Sequence, residues 1–148
     1  MHFNVISKVL GLLLMVFSLT LLTPIVIAII YDEQTHGAFF LSFAITFSLG
    51  VLMWLPFSRQ RAELRSRDGF LITVMFWVEL ALVGALPFVL SESLQLSITD
   101  AVFESMSGLT TTGATVITGL DLLPKSILYY RQQLQWLGGI GIVVIAVA

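Results

Sequence analysis

The chain has 148 residues, of which 57% are hydrophobic and 11% charged, with a mean hydropathy of +0.99. Soluble domains carry charge on about 25% of residues, so this composition excludes an ordinary soluble domain. A net charge of −2 without a long basic run excludes a nucleic-acid binder, and the lack of cysteine excludes disulfide frameworks, thiolate metal sites and cysteine nucleophiles.

The two histidines, His2 and His36, lie outside the apolar runs, so no histidine pair is available within a membrane. After a short polar start carrying Lys8, Val9 to Tyr31 is a run of 23 residues without charge. A hydrocarbon core of ~30 Å needs about 20 apolar residues in helix, so this run spans. It is too long for the ~7–15-residue apolar core of a signal peptide, and no A-x-A-like site follows it. Pro24 predicts a kink, which a membrane helix tolerates when a neighbour satisfies the freed carbonyl.

Asp32 to His36 is a short acidic loop, and Ala38 to Phe57 is a second uncharged run. Ser42, Thr46 and Gly50 recur every four residues and predict a face that another helix can approach closely. Phe39, Phe43 and Phe47 form an adjacent aromatic stripe, read as packing or lipid contact. Residues 58–68 carry Arg59, Arg61, Arg65 and Arg67, so the positive-inside rule makes this loop cytoplasmic. The loop at 32–36 has neither lysine nor arginine and is expected outside, while Lys8 places the N-terminus inside. The three assignments agree.

Gly69 to Leu90 is the third span, with Glu79 near its middle. A carboxylate at that depth costs at least ~2.5 kcal/mol, so Glu79 should face protein or water and have a partner, the half-helix that follows being one candidate. Ser91 to Thr99 is a polar connector at the outer surface. Ser97 with Asp100 three residues on resembles a capping box. Ile98 to Gly108 is then predicted as about 16 Å of helix, half a membrane, with Gly108 as its stop. Thr110-Thr111-Thr112-Gly113 follows, then a turn at 119–124 in which Pro124 opens the next helix. Tyr129, Tyr130 and Trp136 fit an interfacial aromatic belt. Gln132 to Ala148 is an uncharged run of 17 residues, read as part of a fourth spanning helix in which the chain is cut.

Span, half-helix, polar loop, span is the order expected of a re-entrant pore loop. Irregular backbone is tolerated at membrane depth only where it is buried in protein or lines water. Threonine offers carbonyl and hydroxyl oxygens to a dehydrated cation, and glycine turns its carbonyl inward without a Cβ clash. The negative end of the half-helix dipole points at the same place. Glu104 and Asp100 add negative charge, facing either this site or the outer vestibule. Two other readings compete with this one. Ser105 and Ser107 prompt an intramembrane serine hydrolase, but no histidine base lies in a span and Lys125 sits near the outer surface. Broken helices also suit a secondary transporter for another ion or an anionic substrate, although the half-helix polarity favours a cation.

The block from Phe103 to Thr115 resembles the first pore loop of the TrkH/TrkG potassium-uptake family, within the superfamily that includes KtrB and plant HKT transporters. Leu134 to Gly141 is similar to the start of the helix that follows that loop, and the two leading spans to an extra N-terminal pair. The resemblance implies an all-α membrane protein in which two N-terminal transmembrane helices precede one helix–pore-loop–helix repeat of a pseudo-fourfold, cation channel-like fold. Residues 1–68 would be the helix pair with its Arg-rich loop, and 69–148 the first repeat, truncated in its last helix. It also implies that Gly113 is the filter glycine and that Thr111 and Thr112 offer carbonyls to a potassium ion. Further implications are a homodimer in the bacterial inner membrane, a cytosolic nucleotide-binding TrkA-type regulatory subunit, and no enzymatic activity.

Overall fold

The computed structural model describes residues 3–58 and 66–147, without the side chains of 66–67 and 142–147. Arg59, Arg61 and Arg65 of the Arg-rich loop therefore lie outside the described residues. The described residues are helical, without strands: α1 (Phe3–Thr20), α2 (Leu22–Ile30), α3 (His36–Trp54), α4 (Ser66–Gly84), α5 (Leu86–Leu90), α6 (Ile98–Leu109) and α7 (Lys125–Val147). Three helical stretches are long and apolar enough to cross a membrane, namely Phe3–Ile30, His36–Phe57 and Asp68–Leu90. They match the three predicted spans within a few residues. Helix α7 is not among them; its first half carries Lys125, Arg131, Gln132, Gln133 and Gln135, of which Arg131 and Gln133 bond to other helices of the protein.

Two proline breaks, at Pro24 and Pro87, are closed by side chains from α7. Pro24 has no N–H for the Thr20 carbonyl one turn before it, and the chain steps from α1 to α2 at Leu21. Gln133 Nε2 donates to that carbonyl at 2.8 Å, and the Thr23 hydroxyl donates to Gln133 Oε1 at 3.0 Å. The break before Pro87 frees the Gly84 carbonyl, which accepts from the Tyr130 hydroxyl at 2.8 Å. Tyr130 is thus a core residue and not part of the aromatic belt. It is fully buried, edge-on to Phe39 with ring centroids 5.4 Å apart. Tyr129 and Trp136 stay exposed, but seven residues, about 10 Å of helix, separate them, so one interfacial level does not hold both.

The small face of α3 packs on α1, where Gly11 and Gly50 let the backbones touch. A Cβ on Gly11 would stand 2.6 Å from the Gly50 carbonyl oxygen, and one on Gly50 2.7 Å from that of Gly11. Ser42 and Thr46 are buried on the same helix. The aromatic stripe divides between two tasks. Phe39 enters the core, while Phe43 and Phe47 stack at 5.7 Å toward the exposed side.

At the end bearing residues 31–35, Glu33 caps α7. Its carboxylate accepts from Lys125 N, Ser126 N and the Ser126 hydroxyl at 2.5, 3.0 and 2.5 Å. Thr35 Oγ1 lies 2.6 Å from Ser126 Oγ. Burial alone raises the Glu33 pKa, but the bonds from Ser126, Lys125 and Thr35 outweigh it and hold the group below the usual glutamate value near 4.5. A depressed carboxylate contributes stability that is complete above its unfolded pKa and lost as pH falls through the folded one. The melting temperature in detergent should therefore drop below pH ~4.5, and Glu33→Gln should remove that part of the drop. Parallel melting curves for both proteins down to pH ~3 would contradict it.

Candidate ion-filter loop

Helix α6 starts where its sequence says it should. The Ser97 hydroxyl accepts from Asp100 N at 3.1 Å, the first half of the predicted box, and donates to Asp100 Oδ2 at 2.7 Å in place of the reciprocal backbone bond. Its 12 residues give about 18 Å of helix. Ala101, Ser105, Gly108 and Leu109 face protein on this helix. Gly108 is not the stop. A Cβ there would lie 3.0 Å from Leu134 Cβ, so this glycine admits α7. The helix ends one residue later, and the left-handed step falls on Thr111 at φ +58°. A β-branched residue is disfavoured there by about 1–3 kcal/mol, so the surroundings must impose it.

Those surroundings are a set of pins from α6 and α7. The Ser107 carbonyl accepts from Thr112 N at 3.0 Å and from Gly113 N at 3.4 Å, while its hydroxyl donates to the Ala114 carbonyl at 2.7 Å. Ser107 is thereby a loop fastener, with its hydroxyl proton directed to a carbonyl. The Glu104 carboxylate accepts from the Thr115 hydroxyl at 2.5 Å and from Val116 N at 2.7 Å. Its other oxygen pairs with Arg131 Nε of α7 at 3.1 Å, and Glu104 is only 3% exposed. This corrects the vestibule reading for Glu104, whose charge is committed to holding the loop. Asp100 remains at the helix start, in the cap.

Two glycines complete the seat. Gly138 presses on the end of α6 so closely that a Cβ would stand 1.9 Å from the Leu109 carbonyl oxygen. Gly113, at φ +73°, has Gln135 Nε2 just behind it, 3.3 Å from where a Cβ would be. Gln135 lies ten residues into α7, about 15 Å from its start. The loop thus comes level with the middle of the adjoining helix.

The predicted ligand residues are together at that level, in consecutive positions. Residues 111–116 are exposed along one side. Ala114 has its carbonyl taken by Ser107, whereas no hydrogen bond reaches the carbonyls of Thr111, Thr112 or Gly113 from the described residues. Three successive carbonyls without donors are a negative surface suited to a dehydrated cation. The described residues contain no group of three or more His, Asp or Glu side chains that could hold a metal. Glu79 is half-buried on α4, and its Oε2 is buried without a hydrogen-bond partner among the described residues, so the expected partner in the half-helix is not found.

Sequence reasoning passed over Ser107 as a fastener, Arg131, Gln133 and Glu33. For Arg131 and Gln133 the available signal was the set of polar residues in the first half of an otherwise apolar helix, each of which needs a partner.

A family of proteins described as cation transport proteins, the TrkH family, matches residues 35–148. The chain is 60% identical over its whole length to the Trk system potassium uptake protein TrkH of Halomonas elongata, of which it covers 31%. It is 53% identical, again over its whole length, to the TrkH protein of Escherichia coli K12, covering 31% of that protein. The crystal structure of the potassium transporter TrkH from Vibrio parahaemolyticus superposes with a TM-score of 0.94 at 51% identity, over 99% of this chain and 31% of that one. The chain therefore spans about a third of the length of these relatives.

Proposed function

Because the chain belongs to the TrkH family of cation transport proteins, we propose that it forms one wall of a potassium-uptake path across the bacterial inner membrane. Potassium is the cargo, and carbonyls of Thr111, Thr112 and Gly113 are its ligands. The single observation that carries the reading is the pinned loop, which leaves these three consecutive carbonyls without donors among the described residues. The dipole of α6 ends at the same loop and favours a cation there. Three further repeats, in the length of the relatives that this chain does not span, would supply the other walls of a four-part filter.

In this reading the N-terminus and the loop at 58–68 are cytoplasmic, and the connectors at 32–36 and on either side of the pore loop are periplasmic. The Lys8 ammonium donating to the Ser58 carbonyl at 2.8 Å supports one shared inner end. The full-length protein would work as a homodimer under a cytosolic nucleotide-binding subunit of TrkA type.

The test is Gly113→Asp in the full-length protein. A side chain at φ +73° strains the turn, and the space behind it is filled by Gln135. The expected result is loss of K⁺ and Rb⁺ uptake at normal membrane abundance. Uptake that keeps its preference for Rb⁺ over Na⁺ in this variant would sink the filter assignment.

A further inference from the structure

We infer that Glu33, in the connector between α2 and α3, is a positioning residue for the ion path: it sets where α7 sits along its axis and thereby holds Thr111–Gly113 in shape. The transport readout of this inference rests on the proposed uptake function; its structural readout does not.

Helix α7 needs an outside cap. The residue before Lys125 is Pro124, which has no side-chain acceptor for the free N–H groups of the first turn. The acceptor comes instead from Glu33, 93 positions before Ser126 in the chain. Glu33 is itself firmly placed. Its N–H donates to the Ala28 carbonyl at 2.8 Å, and Asp32 before it takes the left-handed conformation at φ +52°. Thr35, also in this connector, adds the buried contact to Ser126 Oγ.

From that anchored end, α7 carries every fastening that it makes to the filter loop. Arg131 holds Glu104, which holds Thr115 and Val116. Gln135 backs Gly113, and Gly138 bears on Leu109. A helix is stiff along its axis, and one residue of slip is about 1.5 Å. Such a slip stretches the 3.1 Å Arg131–Glu104 bond and swings it off line, and a hydrogen bond weakens with both changes. A carboxylate at the outer surface is thereby linked to the carbonyls of Thr111–Gly113 through one rigid element.

The experiment uses the full-length protein carrying Glu33→Gln, which keeps the shape but offers one acceptor oxygen and an amide that faces donors. The KM for Rb⁺ uptake should rise about fivefold, on the scale of the net contribution of one ordinary hydrogen bond. Rb⁺ over Na⁺ discrimination should fall with it, at unchanged membrane abundance. In the purified protein, amide hydrogen exchange should rise at 114–117 as well as at 125–128. Adding Thr35→Cys with Ser126→Cys, in a background without other cysteines, should restore both readouts on oxidation and release them on reduction. Should Glu33→Gln fail to reach the membrane, Ser126→Ala carries the same test, since both backbone donors remain. Exchange that rises only at 125–128, or an unchanged KM, overturns the inference. Exchange that rises at 114–117 in a protein whose parent moves no Rb⁺ upholds the positioning and sinks the uptake reading.

Discussion

Gly138→Ala is expected to prevent the chain from closing its filter loop on α7, whereas Gly139→Ala, one residue on, should be tolerated. At 138 the added carbon would stand 1.9, 2.6 and 2.9 Å from the oxygen, carbonyl carbon and Cα of Leu109. All three are backbone atoms at the end of α6, so no side chain can swing away. Relief requires moving a helix by more than 1 Å, which breaks the Arg131–Glu104 pair or the Ser107 bonds. Overpacking of this kind costs about 1–3 kcal/mol where side chains can adjust, and more where they cannot. At 139 the nearest atom is Thr111 Cγ2 at 3.9 Å, an ordinary contact. Alanine there gains up to ~1 kcal/mol of helix propensity. Melting temperature in detergent and Rb⁺ uptake by the full-length protein measure both. A Gly138→Ala protein as stable and active as the parent would mean that α6 and α7 do not meet as described.

The spans were readable because a bilayer gives a run of 20 uncharged residues a single meaning, and the start of α6 because Ser97 and Asp100 interact across one turn. The candidate ligands were readable for a similar reason, a short polar motif between apolar elements. What was not readable depends on distant pairing. Glu104 and Arg131 are 27 positions apart, and Glu33 and Ser126 are 93 apart. Nothing local distinguishes a carboxylate that faces a vestibule from one that faces an arginine. Tyr130 went to the core rather than the belt because a proline break left the Gly84 carbonyl waiting for a hydroxyl. At Thr111 local preference pointed the wrong way. A glycine three residues earlier was the better candidate for the helix stop, yet the pins on either side force the left-handed step onto a threonine. Departures from local rules are expected where function sets the backbone.

Glu104→Ala is expected to have an effect as large as any substitution away from the filter itself. It leaves the Val116 N–H, the Thr115 hydroxyl and the Arg131 guanidinium without their shared acceptor, which is the buried member of all three part-buried bonds. Breaking a buried ion pair by removing one partner costs about 3–5 kcal/mol. The descending limb of the loop should come loose, and Rb⁺ over Na⁺ discrimination should collapse before the protein is lost from the membrane. Arg131→Met should cost less, because Glu104 keeps two donors from the loop. The double variant should be less damaged than the two single losses added together, since no charge is then left buried alone. The exchanged pair, Glu104→Arg with Arg131→Glu, separates two accounts of the site. If the carboxylate matters only as the partner of Arg131, the exchange restores selectivity. If it matters as the acceptor for Val116 N, as the 2.7 Å contact requires, selectivity stays lost although the charges are again balanced.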